Sequence, residues 1–329
     1  MASSQTRYII IALAAACLFF PFLGQVHLFD WDEINFAECA REMMVTNNYL
    51  QVQIDYQPFW EKPPVFIWMQ VLAMKLFGVN EYAARFPNAF IGVVTLLTLF
   101  YAGKRVVNEK MATWWVALYA ATWLPHFYFK SGIIDPTFNL FIFLAFFQVY
   151  LIRHGNRPWL HAVLSGVFLG MAVLTKGPAA ILIALLAFGV YVIINRGIKG
   201  FKWLHFPVIA VMAFITTCIW FGLEVLNHGW WMVNEFITYQ VRLFQTEDAG
   251  HGGPFFYHFI ILLLGCFPAS VFLFHKSTTN EEVQVKDFKR WMWVLFWVVL
   301  ILFSIVKTKI VHYSSMCYFP LTFIAALHI

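Results

Sequence analysis

Charge is what this sequence has little of. Asp, Glu, Lys and Arg make up 12% of its 329 residues, about half their share in an average soluble domain. Hydrophobic residues make up 61% and aromatic residues 19%. Such a chain cannot clothe itself in polar side chains, so a soluble globular protein is excluded and an integral membrane protein is expected. The formal net charge is +5, but the basic residues form no dense run, which excludes a nucleic-acid partner. Cysteine is thin as well: Cys17, Cys39, Cys218, Cys266 and Cys317 stand alone, without a CxxC pair, mostly in apolar stretches. That argues against a disulfide framework or a cysteine zinc site. No internal repeat or low-complexity tract stands out.

What is there instead is a succession of apolar stretches. After a first run following Arg7 and continuing through Leu23, others cover roughly 87–105, 112–128, 136–152, 160–175, 178–195, 203–225, 255–274, 291–306 and 311–329. The first run is long enough to span and is read as a retained helix, not a cleaved signal peptide. An all-α polytopic membrane protein of about ten helices is expected. With a cytoplasmic N-terminus, the inner ends hold 13 of the 22 Lys and Arg residues, Lys199 and Lys276 among them. Only Glu109, Glu281, Glu282 and Asp287 of the 17 acidic residues fall there. This asymmetry fits the positive-inside rule. The other nine cations collect in short outer stretches, and the loop of about 60 residues after the first helix exceeds a simple connector.

In that loop, "FDWDEINFAECAREMM" places Phe36, Ala40, Met43 and Met44 at helical spacing behind Asp32 and Glu33, predicting an amphipathic helix at the outer surface. Asp32 reads either as a helix cap or, crowded by Asp30 and Glu33 beside an apolar wall, as a tuned base. "FWEKPP" holds Glu61 and Lys62 in extended backbone ahead of Pro63 and Pro64. Lys62 suits a lipid phosphate, or else snorkels as an interfacial anchor. Asp135 caps the next helix or serves function, as membrane carboxylates do by default. Lys176, in "LTKGP", is a turn lysine or an outward-facing cation. The region from about 226 to 254 reads as a loop carrying Glu235, Arg242, Glu247, Asp248 and His251, the last a structural histidine or a metal ligand.

Taken in order, "WDEINFAECAREMM", "FWEKPPVFIWMQVLAMKLFGVNEYAARFPNAF", "LTKGP", "GPFFYH" and "FSIVKTKIVHYSSMCYFP" resemble the bacterial lipid-linked-sugar glycosyltransferases related to lipid A aminoarabinose transferase and to protein O-mannosyltransferases. The resemblance implies a GT-C transmembrane helix bundle, with residues 1–329 as its catalytic domain, 27–86 as its first periplasmic loop and amphipathic helices within that loop. It implies a bacterial inner-membrane protein with its active site facing the periplasm. The donor would be a sugar on a polyprenyl monophosphate, with no nucleotide cofactor, and the acceptor a glycolipid such as lipid A, or a protein. Carried over by position, Asp32, Glu33 and Asp135 are the catalytic carboxylates. Lys62, Arg85, Lys176, Arg242, Lys307 and Lys309 are the cations for the donor phosphate, and Glu61 and His251 are ligands for a divalent metal. The further helices and soluble domain usual in such relatives are expected to be missing here. The rival reading is a transporter or flippase for an anionic lipid or solute, which would spread polar residues through the bilayer depth.

Overall fold

The computed structural model describes residues 4–198, 200–246, 250–274 and 282–329. The described chain runs through α1 (Ser4–Phe19), α2 (Trp31–Thr46), a hairpin of β1 (Gln53–Ile54) and β2 (Gln57–Pro58), α3 (Val65–Phe77) and α4 (Glu81–Val106). It continues through α5 (Glu109–Ala121), α6 (Trp123–Tyr128), α7 (Asp135–His154), α8 (Pro158–Lys176), α9 (Ala179–Ile194) and α10 (His205–His228). Last come α11 (Trp231–Gln245), α12 (Tyr257–Gly265), α13 (Val283–Ile305) and α14 (Tyr318–Leu327), with tighter 3-10 segments at Ala269–Phe274 and Val311–Cys317.

The membrane helix bundle is as expected, but ten full spans are not. Among the described residues, five helices, α4, α7, α8, α10 and α13, are long and apolar enough to cross a bilayer. Several expected stretches are broken. The one at 112–128 splits at Thr122, whose hydroxyl turns back to the Leu118 carbonyl (2.5 Å). The stretch at 255–274 divides before Pro268, which has no N–H with which to continue a helix. The stretch at 311–329 begins as a 3-10 segment and ends as the short α14. Conversely, the region read as a loop at 226–254 contains α11, and the first outer loop contains α3 beside the expected α2. Helix α8 is central, packing against both α7 and α10, while α4 packs against α1, α3 and α5.

The first loop is a built structure laid on one end of this bundle. Cys39, Ala40 and Met43 of α2 are buried in a cluster with Val52, Val65, Ala84, Leu174 and Trp220, while Phe36 packs with Phe66 and Ile134. Two indoles fix the chain that follows: Trp68 Nε1 donates to the Tyr49 carbonyl (2.7 Å) and Trp220 Nε1 to that of Leu50 (2.8 Å). The hairpin tip, Asp55–Tyr56, is left-handed at both residues, and the Tyr56 N–H donates to Glu42 of α2 (2.9 Å).

Candidate active site

The site is assembled at the loop-covered end. At the start of α2 it is Asp30 that caps the helix, its carboxylate accepting from the Asp32 N–H (3.0 Å). Asp32 is thereby spared the capping role, and its Oδ2 lies 3.4 Å from Nε2 of His312 in the 3-10 segment. The same Nε2 lies 3.6 Å from Asp135 Oδ2. Asp135 opens α7 without capping it. Its other oxygen accepts from Lys176 Nζ (2.5 Å), the last residue of α8. The ammonium of Lys176 also lies over the rings of Tyr313 (4.7 Å) and Phe138 (5.7 Å). Segments starting at residues 31, 135 and 311 and ending at 176 thus meet at one point.

Burial alone would raise the Asp32 carboxyl. The neighbouring His312 ring nitrogen and the charges of Lys62 and Lys176 override it and hold the group at about 2. Asp32 is therefore ionised at neutral pH. Lys62 sits in the segment ahead of α3, its Nζ 5.2 Å from the centre of the Tyr239 ring. The guanidinium of Arg242 lies over the same ring at 5.1 Å. Tyr239 is buried and Arg242 exposed on α11, so one aromatic plate gathers two cations from segments 180 residues apart. The reversal after Lys176 depends on Gly177, at φ +86° and ψ −155°, a conformation reserved for glycine. A Cβ there would fall 2.5 Å from the Phe236 ring of α11.

Three of the candidates, Glu33, Arg85 and Lys309, have their polar groups engaged elsewhere. Glu33 is fully buried, pairs with Arg85 through both oxygens (2.7 and 2.9 Å) and accepts from the Gly132 N–H (2.7 Å). Arg85 spends its remaining N–H groups on the carbonyls of Leu23, Val26 and His27. With every donor used, Arg85 has none for a phosphate, and Glu33 has no oxygen to spare for catalysis; together they clamp α2 to α4. Lys309 is likewise buried, its ammonium on the Phe303 and Ser304 carbonyls of α13 and on that of Val306, the residue that caps it. It closes a helix end, and burial lowers its pKa. Lys307 is exposed. Among the described residues no three His, Cys, Asp or Glu side chains converge as a metal-binding group. Glu61 is half-buried, and exposed His251 uses its carbonyl to accept from the Lys309 N–H (2.7 Å). Glu247 and Asp248, of the same loop as His251, lie outside the described residues.

His312 and Tyr239 are the residues that the sequence reading misses. His312 stands inside "KTKIVHYSS", whose lysines draw the attention. Tyr239 precedes Arg242 by one helical turn in a stretch read as loop, and a helical reading of that stretch would have paired them.

The comparisons fit this geometry. Residues 61–220 match the family described as dolichyl-phosphate-mannose-protein mannosyltransferase. The undecaprenyl phosphate-alpha-4-amino-4-deoxy-L-arabinose arabinosyl transferase of Edwardsiella ictaluri is 27% identical over 93% of this chain and 56% of its own length. That of Shewanella sediminis is 27% identical over 97% and 59%. By these matches the chain is similar to glycosyltransferases that use lipid-phosphate sugar donors. Its fold is that of ArnT from Cupriavidus metallidurans, crystallised bound to undecaprenyl phosphate. The TM-score is 0.86 at 20% identity, with 99% of this chain and 60% of that one covered. The Archaeoglobus fulgidus oligosaccharyltransferase matches more loosely, at TM-score 0.60 and 12% identity over 98% of this chain and 50% of that one. The chain thus spans a little under three fifths of the length of the two curated relatives.

Proposed function

We propose that this GT-C chain transfers a sugar from a polyprenyl monophosphate to an acceptor, a glycolipid such as lipid A, at the periplasmic face of a bacterial inner membrane. The observation that carries the reading is an ionised, half-buried carboxylate, Asp32, within the field of Lys62 and Lys176 at one end of an apolar bundle. Tyr239 adds Arg242 to the same surroundings. The relatives' names support the donor class, and the positive-inside distribution of cations favours the facing. The charged side chains of the spanning helices gather toward their ends, which favours an enzyme over a transport path.

In the proposed step, an acceptor oxygen forms a bond to the anomeric carbon as the bond from that carbon to the phosphate oxygen breaks. Polyprenyl phosphate leaves with the electron pair, and the acceptor proton passes to Asp32. Attack in line inverts the anomeric centre. Negative charge grows on the departing phosphate, and Lys62 and Arg242 are fixed in place to receive it. Asp32 orients the acceptor and stabilises the positive charge that develops on the sugar.

Membranes carrying the protein would be given radiolabelled undecaprenyl phosphate-linked 4-amino-4-deoxyarabinose with lipid A. Label moving into lipid A with the unaltered chain, and about 10²–10⁴-fold more slowly with Asp32→Asn, is the expected result. Equal rates for the two would remove Asp32 from the chemistry. No transfer by intact, membrane-inserted protein from this donor or from polyprenyl-phosphate mannose would overturn the reading.

A further inference from the structure

His312 is held in the middle of the site by more than its two carboxylates. Its 3-10 segment is tied to α12 by Ser314, whose hydroxyl lies 3.1 Å from His258 Nδ1, and to α7 by Ser315, which accepts from Asn139 (2.8 Å). Tyr128 meets the His312 ring edge-on at 5.9 Å. The imidazole is buried at 3% exposure and cannot swing away, yet its contacts to Asp32 and Asp135 are both long for hydrogen bonds. Among the described residues neither His312 Nε2 nor Asp135 Oδ2 has a hydrogen-bond partner of normal geometry. Buried polar atoms left unpaired are costly, and here two of them face each other across a functional site.

The facing groups determine the tautomer. Carboxylates only accept, so a nitrogen placed between two of them carries hydrogen. We propose that His312 is a positioning residue whose single Nε2–H is shared between Asp32 and Asp135, turning to Asp32 while it is ionised and to Asp135 once Asp32 holds the acceptor's proton. This rests on the transfer reading above. No proton crosses the imidazole: the proton lost by the acceptor stays on Asp32 until solvent removes it, and the histidine exchanges one hydrogen-bond acceptor for the other. Asp135 can serve as the second acceptor because Lys176 keeps its other oxygen occupied and its charge balanced. The arrangement gives Asp32 one fixed orientation before reaction and spares His312 an unpaired donor after it.

The charged and titratable groups around the pair are Lys62 and Lys176, which act on Asp32, then Tyr128 and Tyr313, and His258, which feels His312. Among the described residues His312 stands 3.4 Å from the Asp32 carboxylate and does most to lower its proton affinity. Removing it therefore raises the proton affinity of Asp32, and an acid limb set by that carboxylate moves to higher pH.

The test compares His312→Ala and His312→Gln with the unaltered chain in the same transfer assay, alongside infrared titration of the Asp32 carboxyl identified by difference against Asp32→Asn. His312→Ala is expected to lower kcat about 100-fold with donor KM unchanged, and to raise the proton affinity of Asp32 about tenfold or more. His312→Gln, which keeps a neutral N–H donor, recovers at least a tenth of the rate. If His312→Ala turns over normally, or the Asp32 titration stays in place, the inference is overturned while the transfer reading survives. If Gln fails as completely as Ala with the Asp32 titration restored, a shared N–H is not what matters. Absence of transfer by the unaltered chain would count against the transfer reading, and the infrared titration would still decide whether His312 acts on Asp32.

Discussion

The two ends of the bundle handle buried acid in opposite ways. At the end away from the first loop, Asp287 of α13 accepts from Arg153 (3.0 Å) and Tyr191 (2.7 Å) on one oxygen and meets His154 (2.8 Å) on the other. Helices α7, α9 and α13 are thus joined by a network with both oxygens matched. At the loop-covered end, Asp135 has one oxygen matched and the other unpaired, facing a histidine shared with Asp32. Both are aspartates buried beside a cation and a histidine. A closed set of partners leaves nothing for a substrate to do, whereas an open set can be completed by one. Asp287 accordingly holds helices together, and Asp135 is the one left with an oxygen open to a substrate.

The largest way to break this comparison is to open the closed network. Asp287→Ala leaves Arg153 and His154 facing each other without their anion, and the loss of one partner from a buried pair costs about 3–5 kcal/mol. A lower melting temperature in detergent is expected, with transfer per folded molecule unchanged. Arg85→Met should cost a similar amount, because it strands Glu33 at complete burial. If Arg85→Met stayed as stable as the parent and lost only donor affinity, the clamp described here would be wrong and the phosphate-binding role restored.

Lys62→Ala reverses the pattern. Among the described residues Lys62 makes no buried ion pair of this kind, so folding should hold, while removal of one preorganised charge at the departing phosphate slows transfer about 10²–10³-fold. Rate and melting temperature measured on the same preparation separate the two ends: one set of substitutions moves stability and the other moves turnover. A Lys62→Ala protein that melts early and turns over normally would erase the distinction.

How much of this was legible in the sequence depends on how local each determinant is. The membrane bundle follows from composition. Asp32, Lys62, Asp135 and Lys176 could be singled out because each interrupts apolar sequence with charge beside a turn or helix end. Their meeting point could not, since it depends on the packing of α7 on α8 and of the 3-10 segment against α7. Nor could the division of labour between Asp32 and Glu33, adjacent residues that a helix points about 100° apart. Glu33 turns toward an arginine 52 positions on, and Asp32 toward a histidine 280 positions on. Lys309 misleads for the same reason: "KTK" looks like a cationic patch, and only the end of α13 shows that its second lysine is a helix cap.

The smallest change with a readable effect lies at the reversal between α8 and α9. Gly177 to Ala places a side chain in a backbone conformation that costs about 1–3 kcal/mol for any other residue. It also brings the new methyl against the Phe236 ring. Phe236 stands one turn before Tyr239 on α11, and Tyr239 gathers Lys62 and Arg242. Displacing the first ring moves the plate on which both cations rest, while Asp32 and His312 lie on other elements. The expected signature is a donor KM raised several-fold, with kcat retained at saturating donor and a modest drop in melting temperature. A fall in kcat with KM unchanged would mean that the strain reaches Lys176 and Asp135 instead, and that α11 is coupled to the carboxylate side of the site more tightly than to the phosphate side.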